Sequence, residues 1–592
     1  ATTPITPSTP TTSTTPTTPT TPAVEKPREE AVKPTGEAPK YGGILNLVSS
    51  TDISSHDSYS GARGSSITDL TSQELWMGDW AKGPAGGYGT KETDWGMAMN
   101  NIFDLKTGYL AESVNWTVDE KNGVGTIIFK IRQGVHYGLN SNLEASRLVN
   151  GREVTTDDIV FMLKRTVTSQ GAAVWRSNPE LRDAEITKTG PWEVTVKETL
   201  DAMVNALTRL GEGTRLLPPE ITKKYGEPIT DWKQLVGTGP FILTEYIAGS
   251  AMIMERNPNF WMTDPVGPGK GNQLPYLDRV RILIIPDKST RFAALRTGKI
   301  DQMWEIKDEE AVQMRMTSSH LMEKEEVSYQ GRGYGAQIVH DRPPFNDIRV
   351  RQALMLATDF KYIVKNYYNG RAQYMTWPYS YIPDYAELYV GLDDPELPQS
   401  VKDFYVYNPE KAKQLLKEAG YPNGLKTSII LLTEDADYYS IIKDMWSKVG
   451  IQLEFDVKES AAKTAIENNR GQTALIHRNT APIAIFLTMA SFSGTAPSNA
   501  SMMNDPYVEE MRPQIQRAAL YDMREAMRLH KKVSRHIATQ VYAIPKVEGY
   551  WYTFWAPWVK NYSGELSIGY DNRETWAQWA WIDQELKKKM GY

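Results

Sequence analysis

Runs in which apolar and polar residues alternate recur along the chain and predict β-strands. Residues 126–132 place Ile127, Phe129 and Ile131 on one side and charged residues on the other, the pattern of a strand with one buried face. Residues 279–285 alternate and then become wholly apolar, which is typical of a strand entering a covered sheet. Further strands are predicted at 44–48, 114–118, 428–432, 451–457, 541–544 and 550–558.

Apolar residues three and four positions apart predict helices between these strands. A stripe follows Asp347, which can cap the helix: Val350, Ala353, Leu354 and Ala357 fall on one helical face. Other helix starts are predicted where polar caps stand, at Thr155 with Asp158 three residues later and at Asn408 before Pro409. After Asp505 the chain is predicted to be helical to about Thr539.

The order of elements near the middle of the chain indicates the sheet type. A helix predicted at 438–449 separates the strands at 428–432 and 451–457. A strand–helix–strand unit of this kind brings its two strands together in parallel. With the alternating pairs nearer the N-terminus, the pattern predicts an α/β fold with mixed sheets.

The first forty residues differ from the rest in composition. Residues 1–40 are rich in Thr and Pro and then in Glu, Lys and Pro, so they have almost nothing to bury and are predicted to be a disordered tether. The threonines could carry glycans, although a flexible tail of no special role fits equally. The chain starts at Ala1 without an apolar leader, which indicates that a targeting segment has been removed.

Composition narrows the function classes. The chain has 592 residues, enough for two or three compact lobes, and a formal net charge of −6, which argues against a nucleic-acid-binding protein. It contains no cysteine, so disulfides, thiolate catalysis and cysteine-ligated metals are excluded. The longest apolar run, 481–490, is too short to span a bilayer.

A search for catalytic motifs finds none. There is no G-x-S-x-G, H-E-x-x-H or G-x-x-x-x-G-K sequence, and the seven histidines are scattered. The chain is therefore predicted not to be an enzyme and to need no cofactor or metal. The alternative from another class is a carbohydrate-active enzyme or a cell-surface glycan-binding protein, which the 17 Trp and 31 Tyr residues and the tether would suit.

Successive phrases of the sequence resemble one family. GTGPF (237–241), ERNPNFW (255–261), PYLDRV (275–280) and ALRTGKID (294–301) follow one another, and PPFNDIRVRQAL (343–354) comes later. They resemble signature blocks of the extracellular solute-binding proteins of the peptide/nickel/oligosaccharide class, family 5, which feed ABC importers. The resemblance implies a periplasmic-binding-protein-like α/β fold of three lobes with a hinged interdomain ligand cleft.

The resemblance also suggests how the chain is divided. Lobe I would combine 41–75, 214–328 and 541–592, lobe II would be 76–213, and lobe III would be 329–540. The hairpin and helix at 124–168 resemble a family block that is interrupted here by an insertion at about 139–148. His136 is therefore expected to be a structural turn residue.

Ligand groups in this family come from interdomain loops and the hinge. Carried onto this sequence, the resemblance implies seven candidate ligand-binding residues: Ser54, His56, Trp304, Trp377, Tyr379, His477 and Arg478. Peptide-binding relatives have an aspartate near the last pair that holds the peptide's amino group. Here that stretch offers His477, Arg478 and Asn479 instead.

The predicted function is that of an extracytoplasmic receptor at the cell envelope. It would deliver a small-molecule solute to ABC transporter permease subunits, acting as a monomer. The missing aspartate and the aromatic candidates favour an oligosaccharide or another non-peptide solute. An oligopeptide is the alternative. Relatives that are lipoproteins carry a lipidated cysteine before such a tether, and this chain has none.

Overall fold

The computed structural model of the chain describes residues 36–53, 56–57, 59, 66–326, 333–375, 377–479, 489–494 and 498–592. Most of the predicted tether, residues 1–35, lies outside the described residues, as does Ser54 of the predicted site. No helix in the described ranges has the length and apolar character needed to cross a membrane.

The strands of the described residues are mostly short. They are β1 (Ile44–Ser49), β2 (Trp76–Gly78), β3 (Lys106–Gly108), β4 (Ala111–Asp119), β5 (Val124–Ile131), β6 (Glu185–Gly190), β7 (Glu193–Thr199), β8 (Phe241–Ile247), β9 (Ala251–Arg256), β10 (Arg279–Ile284), β11 (Gln302–Lys307), β12 (Met322–Glu326), β13 (Tyr334–Ile338), β14 (Ala372–Gln373), β15 (Leu425–Leu431), β16 (Ile451–Val457), β17 (Leu475–Asn479), β18 (Ala543–Pro545), β19 (Glu548–Gly549), β20 (Trp551–Trp555), β21 (Val559–Lys560) and β22 (Trp581–Ile582).

The helices lie between and around these strands. They are α1 (Ser66–Thr71), α2 (Glu144–Val149), α3 (Thr156–Thr168), α4 (Ala173–Ser177), α5 (Met203–Gly211), α6 (Pro219–Tyr225), α7 (Lys288–Arg296), α8 (Asp308–Thr317), α9 (Ile348–Leu356), α10 (Phe360–Asn366), α11 (Gln399–Phe404), α12 (Pro409–Glu418), α13 (Ala436–Ser447), α14 (Ser460–Asn468), α15 (Pro506–Ala519), α16 (Met523–Gln540) and α17 (Gln584–Lys589).

Four sheets carry most of the architecture. The first sheet has the order β1-β10-β9-β8, with β1 parallel to β10, and the second has the antiparallel order β4-β5-β7-β6. The third sheet has the mixed order β16-β15-β17-β13-β18, and the fourth has the antiparallel order β11-β20-β12. The mixed α/β class predicted from the sequence is therefore confirmed.

Local signals in the sequence predicted several elements correctly. Thr155 and Asp158 form the expected capping box at the start of α3, which satisfies two backbone N–H groups at once. Asn408 caps α12 by accepting from the N–H of Lys411. β15 and β16 pair in parallel around α13, as predicted. His136, expected to be a turn residue, instead forms an isolated antiparallel bridge with Glu153, and its Nδ1 lies 2.9 Å from the carbonyl oxygen of Gly151.

One strand pairing differs from expectation, while the insertion at about 139–148 holds most of the short helix α2. Residues from 541 onward were expected to return to the first lobe. β20 pairs with β11 and β12, which lie within the residues assigned to lobe I, whereas β18 pairs with β13 in the third sheet. A short apolar run specifies a strand but not its partner, because the alternating pattern is the same in every sheet. The lobe boundaries remain a prediction.

Apolar side chains gather in three main cores. One covers the first sheet and packs the tryptophans of the C-terminal segment against it. Another covers the third sheet with helices α9, α12 and α13. The largest belongs to the second sheet and continues without a break into the segment 377–388 and into helices α15 and α16. This core around the second sheet therefore joins parts of the chain that the sequence assigned to separate lobes.

One buried carboxylate holds the first sheet to the C-terminal segment. Asp301, at the end of the ALRTGKID phrase, is fully buried. It accepts hydrogen bonds from the backbone N–H of Asn46 at 2.7 Å, the indole N–H of Trp558 at 2.7 Å and the ammonium of Lys587 at 3.0 Å. These donors come from β1, from the segment after β20 and from α17, so the carboxylate joins three distant stretches of sequence.

We expect Asp301→Ala to lower the free energy of unfolding by about 3–5 kcal/mol, because it leaves Lys587 and two buried N–H donors without their acceptor. Asp287→Ala is the matched control, since Asp287 only caps the exposed start of the neighbouring helix α7. That loss should be much smaller, because a cap at an exposed helix start stabilises the fold only modestly. Chemical denaturation of both variants measures the difference. Equal losses would contradict the role given to Asp301.

Candidate functional site

His477 lies on β17 in a buried polar cluster. Its Nδ1 is 2.9 Å from the hydroxyl of Tyr439, its Nε2 is 3.2 Å from the carboxylate of Asp435, and its ring stacks on Tyr334 of β13 at 5.9 Å. Burial lowers the pKa of His477, although Asp435 opposes this. A neutral imidazole that accepts from Tyr439 and donates to Asp435 satisfies all three groups.

Asp435 is also compensated by a cation. Burial favours a higher pKa for Asp435, but the hydrogen bond from His477 and the nearby ammonium of Lys546, 3.7 Å away, outweigh it and hold the pKa below its ordinary value. Lys546 also lies over the ring of Tyr334 at 5.6 Å. The acid closest to His477 is therefore already engaged.

Arg478, the next residue on β17, is partly buried and faces a shared acid. Its Nε lies 3.7 Å from Glu467, which also pairs with Lys463 at 2.5 Å. Burial lowers the pKa of Arg478, with Glu467 acting against it. Two cations thus share one carboxylate near the C-terminal end of β17, which makes this part of the molecule more suited to anionic or neutral polar groups than to an ammonium.

Trp377 and Tyr379 lie inside the core of the second sheet. Each is about 4% exposed and packs edge-on against Phe492, with ring centroids 6.0 Å and 5.9 Å apart. The indole N–H of Trp377 is buried and has no hydrogen-bond acceptor among the described residues. Burial raises the pKa of Tyr379 well above its ordinary value. In this arrangement neither ring is open to solvent.

Trp304 is placed elsewhere, on β11. The guanidinium of Arg573 lies over its ring at 5.0 Å. Trp304, Arg573, Gln302 and Glu565 line a cavity of about 20 Å³, room for about one water molecule. This predicted site residue therefore lies beside a small polar hollow.

His56 lies beside the first sheet. Its ring meets Tyr246 of β8 edge-on at 5.3 Å. Burial lowers the pKa of His56, against the effect of Asp231 and Asp52. Asp52 accepts from the Tyr246 hydroxyl at 2.9 Å and from the Gly249 N–H at 2.7 Å. These bonds tie the loop to the first sheet.

The predicted site residues thus fall into four places. Phe492 brings Trp377 and Tyr379 together, and His477 and Arg478 are neighbours on β17. Trp304 and His56 stand apart from both pairs in the contacts of the described residues. Among the described residues, no group of three or more His, Cys, Asp or Glu side chains could hold a metal ion.

Sequence reasoning missed the polar contact between the segment 377–388 and the loop 93–101. Asp384 accepts 2.6 Å hydrogen bonds from the hydroxyl of Thr93 and the side-chain amide of Asn100, and the Tyr385 hydroxyl accepts from the N–H of Asn101 at 2.9 Å. The only local signal was a Pro-Asp pair at 383–384, which marks a turn and says nothing of its partner.

Charge at this contact is unusual. Burial, with a smaller effect of Asp94, raises the pKa of Asp384 to about 7. Burial likewise raises the pKa of Glu326 to about 8 and that of Glu565 to about 7. Lys324, 3.4 Å from Asp94, is the cation that acts on all three of these carboxyl groups. Asp384 and the two carboxyl groups that share Lys324 with it therefore have pKa values near neutral pH.

Comparison with known proteins decides the family. The model of "Bacterial extracellular solute-binding proteins, family 5 Middle" matches residues 107–505, about two thirds of the chain. The chain belongs to this family.

Individual relatives of this family 5 protein agree. Heme-binding protein A of Haemophilus influenzae is 28% identical over 383 residues, 60% of this chain and 63% of the relative, so the chain spans less than two thirds of that protein. Periplasmic oligopeptide-binding protein OppA of Escherichia coli is 25% identical over 448 residues, 70% of this chain and 77% of the relative.

The fold agrees as well. The structure of the ABC transporter-associated periplasmic binding protein DppA from Helicobacter pylori, in complex with peptide STSA, superposes with a TM-score of 0.67 at 20% identity. It covers 92% of this chain and 99% of that one. The periplasmic-binding-protein fold predicted from the sequence is confirmed.

The raised carboxyl pKa values of this family 5 protein make its stability depend on pH. A carboxyl group whose pKa is raised on folding stabilises the native state fully below its ordinary pKa, and this contribution is lost as pH rises through the native value. We expect Asp384→Asn to gain stability relative to the natural chain as pH rises from about 4 to about 7, by on the order of 4 kcal/mol at most. Denaturation at several pH values measures it.

The control is Asp393→Asn, which changes an exposed carboxylate a little further along the chain. Its stability should run parallel to that of the natural chain over the same pH range. If Asp384→Asn also ran parallel, Asp384 would not hold a proton at neutral pH in the native state.

Proposed function

We propose that the chain is the solute-binding receptor of an ABC importer and that it acts outside the cytoplasm, at the cell envelope. The observation that carries this proposal is its membership of the solute-binding family over residues 107–505. That range contains the whole second sheet and the third sheet up to β17. The match therefore supports a receptor that uses both of these sheets. The receptor would be a non-catalytic monomer that hands its solute to the permease subunits.

The proposed mechanism is closure of two bodies over the solute. One body carries the first and second sheets, and the other carries the third sheet with α15 and α16. In the structure they meet where Asp384 contacts Thr93 and Asn100, and where the indole N–H of Trp116 donates to the Leu520 carbonyl at 3.0 Å. A solute stabilises such a closed state only through contacts that the open state lacks.

The charged groups near the C-terminal end of β17 support a solute without a free amino group. A buried ammonium costs several kcal/mol unless a carboxylate pairs with it. The stretch 474–488 contains no acid, Asp435 is engaged by His477 and Lys546, and Glu467 is shared by Lys463 and Arg478. We infer an oligosaccharide or a similar polar, ring-containing molecule for these groups. Trp304, which lies apart from them on β11, is the candidate stacking partner.

An oligopeptide is the second candidate, and the relatives favour it. One similar protein is named for binding oligopeptides, and a similar structure holds a peptide. A third is named for heme, so solutes differ widely among similar chains. The residues 480–488 lie outside the described ones, and an acid from the loop that holds Asp52 would be an alternative partner for a peptide's amino group.

The N-terminal residues 1–40 complete the proposal as a tether that holds the receptor away from the membrane surface. Their Thr- and Pro-rich composition favours an extended chain. Lipid anchoring belongs to the resemblance, and the sequence contains no cysteine that could be acylated.

Two measurements test the solute class. Mass spectrometry of whatever copurifies with the protein, released by denaturation, names a solute directly. Calorimetric titration with short peptides and with α- and β-linked oligosaccharides tests the panel. We expect oligosaccharide binding that Trp304→Ala weakens by about 0.5–1.5 kcal/mol, the usual contribution of an aromatic stacking contact. Trp232→Ala, a partly buried tryptophan outside the predicted site, is the matched control.

Several results would redirect the proposal. Micromolar binding of peptides that disappears when their amino terminus is acetylated would replace the oligosaccharide with an oligopeptide and keep the receptor. Equal losses in Trp304→Ala and Trp232→Ala would remove the stacking contact alone. If the protein converted any oligosaccharide into products, the proposed receptor function would be wrong and the protein would be a carbohydrate-active enzyme.

A further inference from the structure

A cavity of about 160 Å³ is lined by none of the predicted solute-binding residues. Helices α3 and α4 form one side, and the end of α5 with the turn at 570–571 forms the other. A cavity of 150 Å³ in another protein accommodates benzene. This one is therefore large enough for a compact molecule with a ring or a branched chain.

Part of the cavity lining is apolar. Four of the lining side chains carry no charge and no strong hydrogen-bonding group, namely Phe161, Met162, Val174 and Leu217. Three of them belong to α3 and α4, so a ligand that fills the cavity would bury apolar atoms against these helices.

Four of the five charged side chains that line the cavity have a partner of opposite charge. These pairs are Arg165 with Asp57 and Glu227, Arg215 with Asp69 and Glu74, Glu212 with Lys106, and Asp571 with Arg573. Each of these charges is compensated within the protein, so none of them calls for an ion from outside.

Arg209 is the exception. Its guanidinium donates to the hydroxyl of Tyr570 at 3.0 Å and lies 5.7 Å from the centre of that ring. Among the described residues, no carboxylate lies within ion-pair distance of it. A guanidinium has five N–H donors in a fork that matches a carboxylate, and a partly buried cation is stabilised by a counter-ion.

We propose that this cavity is a second binding site, for a small carboxylate with an apolar ring or branched chain. The carboxylate would lie at Arg209 and the hydroxyl of Tyr570, and the apolar part would fill the space beside Phe161 and Val174. The cavity shares no lining residue with the predicted solute site. The inference therefore holds or fails independently of which solute the receptor carries.

Benzoate is the probe, because it combines one carboxylate with a ring of the size that the cavity holds. We expect the natural chain to bind one benzoate with a Kd of about 1 mM or tighter, within the efficiency limit for a ligand of this size. Benzyl alcohol, a neutral analogue, should bind at least about tenfold more weakly, and acetate, which lacks the ring, should also bind more weakly. Titration followed by ¹⁹F NMR with 4-fluorobenzoate measures the first, and competition measures the others.

The variant Arg209→Gln removes the charge and keeps most of the side-chain length. We expect it to weaken benzoate binding at least about tenfold and to leave the weak binding of benzyl alcohol unchanged. Arg182→Gln is the matched control. Arg182 also lies in the α3–α4 region, where it donates to the Trp175 carbonyl, but it does not line the cavity.

Three results would overturn the proposal. They are the absence of benzoate binding to the natural chain at millimolar concentration, equal affinity for benzoate and benzyl alcohol, or equal loss in the Arg182→Gln control. The first two measurements use only the natural chain, so they decide the matter even if Arg209→Gln fails to fold.

Discussion

The buried carboxylate of Asp301 is the interaction on which much of the arrangement depends. It accepts hydrogen bonds from the backbone N–H of Asn46 on β1, from the indole N–H of Trp558 and from the ammonium of Lys587 on α17. A buried carboxylate is stable only when such donors surround it, so β1, the 294–301 block and the C-terminal segment must assemble together. The first sheet is thus closed by residues from both ends of the chain, and the second and third sheets lie within the long stretches between them.

Local patterns predicted elements well because their causes are local. The capping box at Thr155, the cap at Asn408 and the parallel pair around α13 depend on residues close in sequence. The partner of β18 and the contact of Asp384 with Thr93 depend on residues far apart. No local pattern encodes those contacts, so the sequence could not predict them without a family resemblance.

The same limit applies to the candidate site. The resemblance indicated Trp377 and Tyr379 as ligand-binding residues, and the structure places both against Phe492 inside a core that joins two parts of the molecule. It also surrounds His477 with Asp435, Tyr439 and Tyr334. Burial and partner identity are properties of the assembled chain. The sequence indicated which polar and aromatic side chains stand at these positions. It could not predict whether those side chains are buried or exposed to solvent.

Closure of the two bodies over a solute can be measured directly. The chain has no cysteine, so one pair of labels can be attached after Lys121→Cys on the β4–β5 turn and Lys413→Cys on α12, both exposed. The distance between the labels is then measured by energy transfer, first after the copurifying solute has been removed and again after it is returned. If the two bodies close, we expect a longer, broader distribution of distances without the solute and a shorter, narrower one with it. The same distribution in both states would contradict closure.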